Sequence, residues 1–341
     1  MNIKGINYDI GTKTTTGRLT RETFDLSIVA KEIEIIKNDL HCNAIRISGL
    51  DTERIAVAAE IALKLGLTVW FSPSMHYDTQ ENTLKYVMQA CRAAEKLRSV
   101  YSNVIFVLGC EFTLFTAGFV RGNTGNERLK NLFSPVSLVK NLIGMRRSYN
   151  KRLNIFLSRA VENVRQEFHG QITYASGTWE KPGWEIFDLI GVDFYRSSYN
   201  KLTFLKELQA YKKMGKPVYI MEFGCCTYKG AEDKGAMGWA IADWKKGIPE
   251  LKGNFTRDEQ VQAKYLAELL EIFNAEGIPG AFVFTFVMYN YLHDNDPRYD
   301  MDMASYGIVK VMPGKKGGYH QNLPWVPKQA FYDLADYYSN H

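Results

Sequence analysis

Two glutamates in this chain stand directly on apolar runs. Glu111 follows the run 104–110, and Glu222 closes the run 218–221 just before Phe223 and Gly224. Each run reads as a strand buried on both faces, as in a parallel sheet. A charged group at the edge of a core needs a partner or a role. Two carboxylates on opposite walls of one pocket can cleave a glycosidic bond: one, protonated, donates to the leaving oxygen, and the other, ionised, attacks the anomeric carbon. Their repulsion raises one pKa, while a neighbouring cation or hydroxyl holds the other down. Arg46, near the end of the run 44–48, is the candidate cation, and Tyr195, after 189–194, the candidate hydroxyl donor. One such glutamate alone would read as a structural ion-pair partner. Two in strand-Glu-Phe contexts, with an arginine beneath them, favour a site.

The elements that must position these residues follow from periodicity. Strand-like runs fall at 3–8, 44–48, 67–71, 104–110, 172–176, 189–194, 218–223 and 281–286. Between them lie helical patterns at 24–40, from Asp51 as N-cap to Gly66, at 81–98, 135–168 with a break near Gly144, 202–214 and 256–276, with a closing helix at 328–338. Strict alternation of this kind means parallel βαβ units, and eight of them point to a closed (β/α)8 barrel, α/β in class. No Gly-rich phosphate fingerprint follows the first strand, which disfavours a doubly wound sheet. There is no linker or repeat, so residues 1–341 read as a single catalytic domain. The long connections, 118–134, 224–254 and 289–327, follow strands four, seven and eight, all on the face where barrel active sites form.

Other residues would line that face. Asn7 and Asp9, at the mouth of the first strand, could bind sugar hydroxyls. His76 either hydrogen-bonds a hydroxyl or packs within its loop. Trp179, beyond the fifth strand, could stack on a sugar ring. Asp193 binds substrate or pairs with Arg46 or Arg196. Phe286 and Tyr289 offer aromatic surface after the eighth strand. The acidic run Asp294, Asp296, Asp300 and Asp302 lacks the glycine and terminal glutamate of a calcium loop, so a solvated or Arg298-paired loop is expected. No metal is expected, since no His/Cys/Asp cluster has zinc spacing, and no cofactor.

Composition bounds the rest. A net charge of +5, with only short basic pairs such as Arg146-Arg147 and Lys315-Lys316, does not suggest nucleic acid. No apolar stretch is long enough to span a bilayer, so no membrane partner is expected. No apolar leader precedes the first strand, and five cysteines without a metal-like double pair fit a reduced, cytoplasmic setting. Cys225-Cys226 reads as two packed thiols near a pocket rim. Thirteen per cent aromatic residues, 20 of them Tyr and 6 Trp, would suit a saccharide cleft.

With these residues in view, the chain resembles the retaining glycoside hydrolases of clan A. In that clan the acid/base glutamate closes strand four and the nucleophile closes strand seven, often as Glu-x-Gly. Glu111 matches the former and Glu222-Phe223-Gly224 the latter. Arg46 matches the clan's strand-two arginine, and Tyr195 in Asp193-Phe194-Tyr195 its nucleophile-binding tyrosine. The resemblance implies a cofactor-free β-glycosidase acting by double displacement on an oligosaccharide, polysaccharide or glycoside. Two positions depart from it. Cys110 stands where many members carry Asn, which looks more like the bacterial β-mannanase branch (family 113-like), where Thr precedes the glutamate. Phe286, Met288 or Tyr289 stand where many members carry Trp. Two rival readings follow from these departures and from the acidic residues: an inactive barrel that binds carbohydrate or a protein, and a metal-dependent barrel lyase or isomerase.

Overall fold

In a computed structural model the apolar runs close on one another as a parallel barrel. The structure describes residues 1–341 except 144, 146, 147, 245, 246, 313 and 315–322. The strands are β1 (Ile3–Asp9), β2 (Ala44–Gly49), β3 (Thr68–Pro73), β4 (Val104–Cys110), β5 (Ile172–Gly177), β6 (Ile190–Asp193), β7 (Val218–Phe223) and β8 (Gly280–Val283). Each pairs with its neighbours in sequence, and β8 pairs with β1 to shut the barrel. The fold is thus the expected (β/α)8 barrel.

The layering follows from strand alternation. Side chains of one parity fill the barrel itself: Ala44, Trp70, Val107, Ala175, Met221 and Phe282 form an interior cluster, and Trp70 packs at 4.9 Å against both Tyr219 and Phe282. The other parity faces the helices and joins the main core, as Ile45, Phe71, Leu108 and Ile220 do. Asn7 ties the closure together: its Nδ2 donates to the carbonyls of Met221 (2.9 Å), Phe282 (3.3 Å) and Val283 (3.3 Å).

The first two of the surrounding helices are capped at their N-termini. α1 (Leu26–Asn38) starts on Asp25 and α2 (Thr52–Lys64) on the expected Asp51; each cap carboxylate accepts from two backbone N–H groups of the first turn. α3 (Gln80–Tyr101) follows β3. The connection after β4 holds three short helices, α4 (Phe112–Phe115), α5 (Gly125–Leu132) and α6 (Pro135–Leu142), before α7 (Tyr149–Glu167) returns to the barrel. The helical stretch expected over 135–168 is α6 and α7, interrupted as expected between Leu142 and Tyr149; Gly144 itself, like the Arg146-Arg147 and Lys315-Lys316 pairs, lies outside the described residues. α8 (Phe204–Lys212), α9 (Glu259–Ala275) and α10 (Gln329–Asn340) complete the ring. Two short ribbons, Ala242–Asp243 with Glu250–Leu251 and Val309–Val311 with Trp325–Pro327, brace the connections after β7 and β8.

In the acidic run after β8, Asp294 and Asp296 are solvated, one of the two expected outcomes, but Asp300 and Asp302 are buried and pinned by cations other than Arg298. Arg257 bonds Asp300 (3.0 Å) and Asp302 (2.6 Å), and the fully buried Lys328 reaches Asp302 at 2.9 Å, whereas the Arg298 guanidinium goes to Glu250. Asp302 lies at the centre because the chain there passes between α9 and the start of α10. Cys225 and Cys226 are both buried free thiols.

Candidate active site

Both glutamates leave their strands at irregularities that turn them toward the mouth. On β7, Tyr219 and Met221 contact the interior cluster, whereas Phe223 packs outward against Phe273 of α9 at 5.2 Å. Strict alternation cannot satisfy both. The register with β6 shifts between Val192 and Asp193, and Asp193 pairs with Glu222. This bulge puts Glu222 on the inner side directly after Met221. Gly224 then allows the next turn, since a Cβ there would stand 2.2 Å from the Phe284 carbonyl oxygen. On β4 the register with β5 likewise shifts between Val107 and Cys110. Glu111 follows in the left-handed region, at φ 42°, and begins α4. Around the barrel only β5 and β6 separate β4 from β7. The two glutamates thus share one half of the mouth instead of standing diametrically opposed.

Glu222 is held at both oxygens. Arg46 Nη1 donates to Oε1 at 3.0 Å, and the Tyr195 hydroxyl donates to Oε2 at 3.2 Å. Arg46 is itself buried and fixed by Ser72 Oγ (3.2 Å) and the Met221 carbonyl (3.2 Å). Asp193, also buried, sits 3.8 Å from the same guanidinium nitrogen; Arg196 pairs with Glu268 instead. The Cys110 thiol points to Asp193 Oδ2 (3.5 Å) and Glu222 Oε1 (3.7 Å).

The charges bear on Glu111. Burial first, then the negative charges of Asp193, Glu222 and Glu180, push its carboxyl well above the usual carboxylate range, with Arg46 offsetting part of this. Burial and the Glu222 charge raise Asp193 too, against the pull of Arg46. Burial and Glu222 keep Tyr195 a neutral hydroxyl donor. One carboxyl poised to hold a proton beside another gripped by a guanidinium and a phenol can serve as acid and nucleophile.

A second group, absent from the sequence reading, fixes the Glu111 turn. Glu180, buried after β5, accepts from Thr113 N (2.9 Å), Thr113 Oγ1 (2.6 Å) and the Tyr174 hydroxyl (2.7 Å). The same Tyr174 oxygen accepts from Phe112 N at 2.7 Å. These bonds hold the first turn of α4, and with it Glu111. Trp179 joins through Nε1–H to Thr113 Oγ1 at 2.9 Å, its ring half-buried at the mouth.

The remaining candidates separate. Asn7 spends its amide donors on barrel closure. Asp9 accepts from Gly11 N (3.0 Å), Thr12 Oγ1 (2.9 Å) and Thr20 Oγ1, and so organises the loop after β1. His76 stacks on Phe115 at 4.0 Å with both ring nitrogens engaged, by Ser74 Oγ and the Lys13 carbonyl. Burial lowers its pKa to about 4. Phe286 is fully buried against Trp325 and has no ring surface to offer a ligand. The Tyr289 hydroxyl is bonded to the buried Glu32, and Arg21 lies over its ring at 4.4 Å. β8 ends at Val283, three residues before the expected end, so the aromatic that follows it is Phe284. That ring is half-buried beside Tyr306 (5.7 Å), which lies 6.0 Å from Tyr195.

Cys110, Asp193 and Glu222 bring their ligand atoms within 4.8 Å of one another, a spacing that could hold a cation. The Arg46 guanidinium, already 3.0 Å from Glu222, supplies positive charge to the same place.

The barrel as a whole has counterparts among solved structures. A family 113 β-1,4-mannanase aligns over 100% of this chain and 99% of its own at 14% identity, with a TM-score of 0.63. The family 113 β-mannanase of Alicyclobacillus acidocaldarius, solved in complex with ManMIm, aligns over 99% and 97% at 14% identity and a TM-score of 0.62. The chain has the fold of these glycoside hydrolases. A β-D-glucuronidase of Dictyoglomus thermophilum shares it over 100% of this chain but 51% of its own, at 12% identity and a TM-score of 0.57. At such identities the likeness is one of fold. No protein-family model and no curated protein matches this sequence.

Proposed function

We propose that this chain is a retaining β-glycosidase with Glu222 as nucleophile and Glu111 as acid/base. The observation that carries the reading is the unequal treatment of two neighbouring carboxyls: Glu222 accepts from Arg46 and Tyr195, while Glu111 lies where burial and three negative neighbours favour its proton. A Glu222 oxygen attacks the anomeric carbon as the glycosidic C–O bond breaks, and Glu111 gives its proton to the leaving oxygen. Glu111, now ionised, takes a proton from water; the water oxygen bonds to the anomeric carbon and the bond to Glu222 breaks. Arg46 and Tyr195 orient the nucleophile. Trp179 and Phe284 supply ring surface for the sugar. The substrate is an oligosaccharide, polysaccharide or glycoside with a β linkage.

Turnover of a panel of aryl β-glycosides tests this. Glu222→Gln abolishes it. Glu111→Ala retains the first half-reaction with a good leaving group and stalls at release. Normal cleavage by both variants would refute the assignment. The Cys110, Asp193 and Glu222 cluster motivates the metal-dependent reading, which instead predicts activity lost to a chelator and regained with a divalent ion.

A further inference from the structure

The segment between β4 and α7 combines two features that the glycosidase reading does not use. The first is charge. Residues 121–152 contain eight Lys or Arg and a single acid, Glu127, a net of +7 where the whole chain carries +5; the remainder is therefore slightly acidic. Buried Arg128 is committed to the carbonyls of Gly122 and Leu114, but Arg121, Lys130 and Lys151 are exposed. The second is apolar exposure. Along and just beyond α6, Val136 (63% exposed), Val139 (54%), Leu142 (85%) and Ile143 (65%) face solvent, with Phe133 before them. Apolar residues scattered singly on a surface are ordinary; five exposed within 136–143, Leu138 among them, are not.

We propose that this insertion docks the protein on an anionic lipid surface. A short helix with exposed apolar side chains and one lysine, flanked on both sides by segments that carry lysines and arginines, suits an interfacial contact in which the apolar face enters the acyl boundary while the cations meet lipid phosphates. The charge selects this occupant over a neutral apolar partner. No helix among the described residues is long and apolar enough to cross a membrane, so the contact is peripheral. It adjoins the mouth: the Phe133 ring lies 6.2 Å from Trp179, whose Nε1 bonds Thr113, two residues beyond Glu111. The docked protein therefore holds its mouth near the headgroups. Resting on the glycosidase reading, this makes a sugar presented from a membrane the favoured substrate class.

Co-sedimentation of the full chain with lipid vesicles tests the docking without reference to activity. Vesicles of phosphatidylcholine with phosphatidylglycerol pellet the protein at low salt, and pure phosphatidylcholine vesicles bind it at least about 10-fold more weakly. High salt releases it. The double substitution Val139→Asp and Leu142→Asp, at exposed positions, leaves the melting temperature unchanged and reduces binding by about 10-fold or more. Three results would overturn the proposal: no pelleting of the wild type, equal pelleting of the variant, or a wild-type dimer that the variant converts to monomer, which would make a second copy the occupant. A protein that docks but hydrolyses no glycoside leaves this inference standing and removes the one above.

Discussion

Replacing Asp193 by Asn removes one negative charge from the mouth while keeping the side chain's shape. Asp193 ends β6 and Glu111 follows β4, two strands away. At about 4.8 Å per strand, β4 and β6 run roughly 10 Å apart. With an effective dielectric of about 20, two unit charges at that distance repel by ~1.7 kcal/mol. Asp193 is among the groups that push Glu111 upward. Asp193→Asn therefore lowers the Glu111 pKa. A general acid works only while protonated, so activity is present below that pKa and lost as pH rises through it. The basic limb of kcat/KM then moves to lower pH. Protonation of Asp193, which burial and Glu222 favour, reduces the charge removed and so the shift. The assay is kcat/KM against pH for a phenyl β-glycoside, whose poor leaving group needs the proton. An unchanged melting temperature shows that the variant folds. A basic limb that stays put, or moves to higher pH, would refute the electrostatic account of Glu111.

Tyr195→Phe removes a neutral donor from a charged acceptor at 3.2 Å. Such a bond contributes about 1.5–3 kcal/mol, so kcat/KM falls by about 10- to 150-fold with folding unaffected. Asp302→Ala leaves the buried Lys328 without its 2.9 Å partner. Breaking a buried pair costs about 3–5 kcal/mol, read as a lower urea midpoint, and Asp302→Ala with Lys328→Met restores much of the loss. His76 is held neutral by burial, at about 4 against an ordinary 6.5. The unfolded chain gains that proton first, so stability falls as pH drops from about 6.5 toward 4, and His76→Gln flattens this dependence in urea titrations.

The barrel was legible because its signals are local. Each strand of a parallel sheet is a short apolar run, and Asp51 caps its helix by bonds to residues two and three positions away. The two glutamates were legible for a similar reason, as carboxylates abutting such runs. What failed was position beyond a strand end. After Val283 the chain leaves the ladder, so Phe286 turns into the core and Tyr289 joins Glu32, Arg21 and Trp325, residues spread over the whole chain. Asn7 looked like a ligand because it stands near a strand mouth; its three bonds go to backbone carbonyls more than two hundred positions away. The bulges that aim Glu111 and Glu222 inward leave no local mark, and neither does Glu180, whose partners Thr113 and Tyr174 meet it only in the closed fold.

The most direct test of the division of labour between the two carboxyls is the product that Glu111→Ala forms from an activated aryl β-glycoside in the presence of azide. If Glu222 attacks first, azide displaces it from the opposite face and proton NMR shows a β-glycosyl azide, with turnover restored. An α-glycosyl azide, or no azide product at all, would contradict the account.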